Sequence, residues 1–111
     1  MQFGSSAMVA LVVATSVACD AQIAGPTYAS VSVNNNNFAP GNVTITAGDS
    51  VFWIWSGSPH DVLFNAAPGV PADCAIDAGI CIRKFPTAGT FSYYCHFHLP
   101  DMVGTVTVHQ P

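Results

Sequence analysis

The sequence predicts an all-β fold, an antiparallel sandwich or barrel of about seven short strands. Segments in which apolar and polar residues alternate recur along the chain, and they are rich in Val and Thr. Nine Gly and eight Pro supply frequent turns between them. No long segment shows a helical period, and 111 residues suffice for one small domain.

Seven segments have the length and pattern of strands. In chain order they span residues 31–33, 43–46, 51–55, 61–64, 81–85, 90–95 and 105–108. Segment 51–55 is almost continuously apolar, as expected of a strand in the core of a sandwich. The four Asn residues at 34–37 predict a tight loop, and residues 65–80 have no sustained period and predict a long loop.

The charge content excludes whole classes of function. The chain has six acidic and two basic residues, with a formal net charge of −4. A nucleic-acid binder that neutralises phosphates needs clustered Lys and Arg, so we expect no nucleic-acid partner. Half of the residues are apolar, which also argues against intrinsic disorder.

Residues 1–18 have the pattern of an export signal. Residues 7–18 are apolar apart from Thr15 and Ser16, and this stretch is too short to span a bilayer as a helix. It is typical of a secretory signal peptide, although an N-terminal core helix is the alternative. Cleavage after Ala18 would leave Cys19 first, as in a lipoprotein-type signal, so lipid anchoring at Cys19 and free secretion both stay open. We therefore expect an exported protein in the periplasm or on the extracellular face, with a linker over 19–28 and a folded domain over 29–111.

A short stretch near the C-terminus combines three donors that bind soft metals. Cys95, His98 and Met102 are spaced C-x2-H-x3-M where a predicted strand ends and a loop leads to the last strand. Cys95 has the same parity as Phe91 and Tyr93, so we expect its side chain to point into the core. A thiolate, an imidazole and a thioether together favour copper over magnesium or calcium.

A second histidine upstream completes a four-donor set. His60 lies 35 residues before Cys95 at the start of a predicted strand, so only the tertiary fold could bring the two together. Two His, one Cys and a weak axial Met form the trigonal site of blue copper proteins. His96 is the competing imidazole, but as the neighbour of Cys95 on a strand it is expected to face the opposite side.

These residues and their context resemble the small blue copper proteins, the cupredoxin family, and within it the plastocyanin-like group. The resemblance covers roughly residues 29–109. The matching segments, in chain order, are Asn37-Phe38-Ala39-Pro40, Val43-Thr44-Ile45, Ala47-Gly48-Asp49, Val51-Phe52-Trp53, Pro59-His60-Asp61-Val62, Phe85, Ala88-Gly89-Thr90-Phe91, Tyr94-Cys95, His98, Met102 and Gly104-Thr105-Val106. Plastocyanins often have Asn where this chain has Asp61, whose carboxylate could accept backbone N–H bonds that fix the ligand loop.

The resemblance implies a fold, a cofactor and an activity. The fold is a Greek-key β-sandwich of about seven to eight strands, and the cofactor is one type 1 copper ion. His60, Cys95 and His98 would be equatorial ligands and Met102 the axial one. The activity is one-electron transfer by Cu(II)/Cu(I) cycling, with redox partners docking transiently near His98, and we expect a monomer.

Two further readings compete with electron transfer. A non-redox copper carrier or chaperone in the cell envelope could use the same ligands. An enzyme is not expected, because four His are too few for a trinuclear copper centre and no metal position is left open.

Cys74, in the predicted loop, and Cys81, at the start of the predicted strand after it, form a separate pair. In an oxidising compartment we expect a local disulfide between them that pins the loop. A second soft metal site is the alternative, but it lacks a nearby His.

Overall fold

The computed structural model describes residues 27–111, so the expected signal at 1–18 and nearly all of the linker at 19–28 lie outside the described residues. This part of the chain contains eight strands and one short 3-10 helix. The strands are β1 (Tyr28–Asn34), β2 (Asn37–Ala39), β3 (Asn42–Thr46), β4 (Ser50–Trp55), β5 (Leu63–Phe64), β6 (Ile80–Lys84), β7 (Gly89–Tyr94) and β8 (Val103–His109), and the 3-10 helix is His96–His98. Within residues 27–111, no helix is long and apolar enough to cross a membrane.

The strands form two four-stranded sheets that pack face to face. The first sheet has the order β2-β1-β4-β6, and the second has the order β3-β8-β7-β5. The predicted all-β sandwich is therefore confirmed.

The expectation of purely antiparallel pairing is corrected by the structure. β1 pairs with β4 in parallel, and β3 pairs with β8 in parallel, while the other pairs are antiparallel. The β1–β4 pair is parallel because the chain leaves the first sheet after β2, runs through β3 in the second sheet, and returns beside β1. An alternating pattern reports which face of a strand is buried but not the direction of its neighbour.

Alternate residues of each strand fill the space between the sheets. Trp53 of β4 is fully buried and lies edge-to-face against Phe64 and Tyr93 of the opposite sheet. Trp55 is half-buried at the rim of the same core. The predicted disulfide between Cys74 and Cys81 is present.

Two features of the fold were not visible in the sequence patterns. β2 begins at the last Asn of the Asn-rich segment, where a two-residue turn with Asn36 at φ 63° reverses the chain between β1 and β2. β1 begins at Tyr28, and the preceding residue Thr27 donates hydrogen bonds from its N–H and hydroxyl to the buried carboxylate of Asp49. These bonds fix the start of β1 against the turn before β4.

Candidate metal centre

Two neighbouring strands of the second sheet bring the predicted donors together. Cys95 directly follows β7, and His60 lies three residues before β5. Because β5 pairs with β7 through Leu63 and Tyr94, the segment that carries His60 lies beside the end of β7. The 35-residue separation in sequence is therefore closed by this short antiparallel pair.

His60, Cys95 and His98 form the one cluster of potential metal-binding groups found within residues 27–111. One donor atom from each of the three lies within 4.8 Å of the other two. The Cys95 Sγ atom is 3.9 Å from Nδ1 of His60 and 3.6 Å from Nδ1 of His98. Cys95 and His60 are fully buried, and Cys95 has the inward orientation that its parity with Phe91 and Tyr93 predicted.

The loop after β7 holds its donors through its own backbone. The Cys95 N–H donates to the Met102 carbonyl at 3.0 Å, and the Met102 N–H donates to the His98 carbonyl at 3.1 Å. The His98 N–H donates in turn to the Cys95 carbonyl at 3.3 Å. Three of the four predicted ligands thus belong to one hydrogen-bonded turn, in which the Met102 side chain is fully buried.

The environment of His60 favours the neutral imidazole. Burial lowers the pKa of His60 from its ordinary value of 6.5, and the adjacent His98 lowers this pKa further. The carboxylates of Asp77 and Asp61 act in the opposite direction but are weaker. His60 is therefore uncharged at neutral pH, which leaves a ring nitrogen lone pair free to bind a metal ion.

Asp61 joins the two ligand-bearing segments. Its buried carboxylate accepts a hydrogen bond from the backbone N–H of His96 at 3.0 Å. Its second oxygen lies 2.6 Å from Nδ1 of His96, whose side chain is 53% exposed. The expected bracing role of Asp61 is therefore confirmed, and His96 lies outside the donor cluster.

One edge of the cluster reaches the surface. His98 is half-buried, whereas the neighbouring Phe97 and Leu99 are exposed. An imidazole at this position can contact both a bound metal and an approaching molecule. The apolar side chains beside it leave a small hydrophobic surface around the ring.

The chemistry of the donor set fits copper, and its spacing fits a small transition-metal ion. Metal–nitrogen bonds of about 2.0 Å and metal–sulfur bonds of about 2.3 Å, set 120° apart, separate the two donors by about 3.8 Å. The observed Sγ–Nδ1 separations of 3.6 and 3.9 Å match this value without any movement of the chain. A thiolate with two imidazoles, and a buried Met102 in the same turn as Cys95 and His98, is the combination that copper prefers.

Asp77 is a residue of this region that the sequence reasoning missed. The His60 N–H donates to its Oδ1 atom at 3.0 Å, and the Asp77 N–H donates to the His60 carbonyl at 2.8 Å. Asp77 lies in the long loop between β5 and β6, where no periodic pattern relates it to His60. The only available signal was its place between the two cysteines of the predicted disulfide.

Comparison with known proteins agrees with this geometry. A plastocyanin of Scenedesmus fuscus is 36% identical over 84 residues, which cover 64% of this chain and 85% of that protein. The oxidised plastocyanin of Dryopteris crassirhizoma superimposes with a TM-score of 0.62 at 27% identity, covering 72% of this chain and 99% of that one. The copper-containing nitrite reductase of Thermus scotoductus gives a TM-score of 0.67 at 22% identity, covering 79% of this chain but 24% of that one, and shows a shared fold alone.

The match to a family is specific and spans the whole described domain. Residues 27–109 match the family described as copper binding proteins, plastocyanin/azurin family. This range contains both sheets and every donor of the cluster. The chain therefore belongs to the plastocyanin/azurin family of copper-binding proteins, and its His60, Cys95 and His98 cluster fits a type 1 copper site.

Proposed function

We propose that this protein carries single electrons between redox partners through one type 1 copper ion bound by His60, Cys95, His98 and Met102. The observation that carries the proposal is the buried Cys95 thiol flanked by two imidazole Nδ1 atoms at 3.6 and 3.9 Å. Copper cycling between Cu(II) and Cu(I) would supply the one-electron chemistry. Met102 would be the fourth residue to hold the ion, because its backbone bonds to both Cys95 and His98 and its side chain is buried.

The protein's part in this reaction is to keep the donors in place. Cys95 would hold the ion as a thiolate, and burial favours the neutral form of His60, whose donor atom lies in the same cluster. The sandwich and the hydrogen-bonded turn over 95–102 restrict movement of these side chains. Little movement between oxidation states means a small reorganisation energy, which favours fast electron transfer.

The exposed edge of His98 is the proposed exit for the electron. Phe97 and Leu99 flank it on the surface and would form the apolar centre of a docking patch. Redox encounters use small interfaces, so we expect partners to bind there briefly. We also expect the protein itself to be a monomer. A net charge of −4 favours partners whose docking surface is positively charged.

We propose that the site does not turn over a substrate. Catalysis at copper requires an open coordination position, and here four side chains from one buried cluster and its turn would occupy the ion. The structural likeness to a nitrite reductase covers 24% of that chain. The finding therefore supports a shared domain architecture rather than a shared reaction.

The proposed export rests on the N-terminal pattern. We propose that residues 1–18 direct export to the periplasm or extracellular face, that 19–28 form a linker, and that 29–111 form the copper domain. The formed Cys74–Cys81 disulfide supports an oxidising compartment. Mass spectrometry of the mature N-terminus distinguishes a lipidated Cys19 from a freely secreted chain.

Substitution of the thiol tests the proposed ligand set. Cys95→Ser removes the soft anionic donor, so we expect the intense thiolate-to-copper absorption band in the visible region (the visible band) and Cu(II)/Cu(I) cycling to disappear. The far-ultraviolet circular dichroism should stay unchanged. His96→Ala is the matched control, because His96 neighbours Cys95 but lies outside the cluster, and it should keep the band. A Cys95→Ser variant that cycles normally would overturn the assignment, and wild-type copper binding without the band would indicate a non-redox carrier.

A further inference from the structure

We propose that Asp77 is a positioning residue for His60, and that the ring closed by the Cys74–Cys81 disulfide holds Asp77 in place. The inference rests on the proposed role of His60 as a copper ligand. The ring closed by the disulfide would thereby fix His60, the one proposed ligand that comes from a distant part of the chain. His60 and Asp77 are 17 residues apart in sequence.

The contact between the two residues is reciprocal. The His60 N–H donates to the Asp77 carboxylate at 3.0 Å, and the Asp77 N–H donates to the His60 carbonyl at 2.8 Å. The indole N–H of Trp55 donates to the same His60 carbonyl at 3.0 Å. The peptide groups on both sides of the His60 side chain are therefore fixed, and the direction of its Cα–Cβ bond is fixed with them.

His60 needs such support because it lies outside the turn that organises the other ligands. Cys95, His98 and Met102 bond to one another through their backbones. The backbone of His60 makes no bond to that turn among the contacts found within residues 27–111. Asp77 supplies for His60 what the turn supplies for the other three.

The disulfide ties this support to both sheets. Cys74 pairs with Val62 as an isolated antiparallel bridge, two residues after His60. Cys81 lies in β6 opposite Trp53, so the disulfide links the segment beside the ligand to the edge strand of the first sheet. Between the two cysteines, the Gly79 carbonyl accepts a hydrogen bond from the Trp55 N–H at 2.8 Å. The ring is thus anchored at three points, and Asp77 lies between them.

The backbone conformation of Asp77 suits this role and guides the choice of variants. Its φ of 50° lies in the left-handed region, which Asp, Asn and Gly tolerate better than other residues. Asp77→Asn keeps the side-chain oxygen that accepts from His60 but removes the charge. Asp77→Gly keeps the backbone conformation but removes the acceptor.

Amide hydrogen exchange in the copper-free full-length protein tests the proposal without relying on copper. We expect Asp77→Gly to speed exchange of the His60 amide by about tenfold, because a hydrogen bond to a carboxylate is lost. Asp77→Asn should stay within about threefold of the wild type. The Cys95 amide, which donates to the Met102 carbonyl, serves as the internal reference and should keep its rate in both variants.

Removal of the disulfide and of copper completes the test. In Cys74→Ser/Cys81→Ser, exchange of the His60 and Asp77 amides should rise together. In the copper-loaded protein, Asp77→Gly should speed transfer of copper to a chelator by about tenfold relative to the wild type. Asp77→Asn should restore a transfer rate close to that of the wild type. Equal acceleration at His60 and Cys95 would show general destabilisation and overturn the proposal, as would an Asp77→Asn variant that behaves like Asp77→Gly. Absence of the visible band in the wild type would instead contradict the proposed function. It would leave the exchange result unaffected, because exchange is measured on the copper-free protein.

Discussion

Asp61→Ala should destabilise the domain far more than loss of the imidazole that Asp61 contacts. The Asp61 carboxylate accepts from the His96 backbone N–H at 3.0 Å and lies 2.6 Å from the His96 ring. A backbone bond to a buried carboxylate contributes about 1.5–3 kcal/mol. The ring contact involves a side chain that is 53% exposed, so solvent screening limits it to about 0–1 kcal/mol. Asp61→Ala, which removes both, should therefore lower the free energy of unfolding by about 3 kcal/mol.

Two matched variants separate the contributions of these bonds. Asp61→Asn keeps an oxygen that accepts from the His96 N–H, and its amide can donate to a neutral ring, so its cost should stay below about 1 kcal/mol. His96→Ala removes the ring alone and should also cost less than about 1 kcal/mol.

Urea unfolding of the copper-free protein measures the free energy of unfolding of all three variants. In thermal unfolding of the same protein, Asp61→Ala should lower Tm by about 15 °C. If His96→Ala costs as much as Asp61→Ala, or if Asp61→Ala is as stable as the wild type, the bond from the His96 N–H to Asp61 does not stabilise the domain.

Three further predictions concern the core and the strand connections. Gly104→Ala should lower the free energy of unfolding in urea by about 2–3 kcal/mol, because its Cβ would lie 2.5 Å from the Tyr93 ring and 2.8 Å from the Gly41 carbonyl. Gly41→Ala is the control: its Cβ would meet nothing closer than 3.7 Å, and it should lower that free energy by less than about 0.5 kcal/mol. Hydrogen bonds from Thr27 lower the pKa of Asp49 below its ordinary value of 3.8. The stability that ionised Asp49 gives the folded state is therefore fully present above that pH, and it is lost as the pH falls through the lower folded-state pKa. Asp49→Asn should remove this component of the acid unfolding curve, and an unchanged curve would contradict the assignment. Burial raises the pKa of Tyr93 to about 12, so Tyr93→Phe should abolish the last step of the absorbance titration at about 295 nm, and survival of that step would place it on another group.

Much of the site could be predicted because its signals are local. Cys95, His98 and Met102 lie within eight residues of one another, and strand parity alone oriented Cys95 toward the core. The disulfide was predictable because its two cysteines lie seven residues apart in an exported-type sequence. Donor chemistry then indicated copper without any knowledge of the fold.

The remaining features depend on contacts that no local pattern encodes. The parallel pairing of β1 with β4 depends on the path of the chain through the opposite sheet. β2 was hidden because the Asn residues that precede it and supply its first residue favour turns. The role of Asp77 arises from a contact across 17 residues, between two loops that share no period.

Copper titration of the copper-free protein, followed by visible absorption, is the sharpest test of the proposed electron-carrying role. We expect one equivalent of Cu(II) to produce an intense thiolate-to-copper band at roughly 600 nm, which disappears on one-electron reduction and returns on reoxidation. A copper complex without that band, or a band that does not return after a reduction and oxidation cycle, would contradict the proposal that this domain carries electrons.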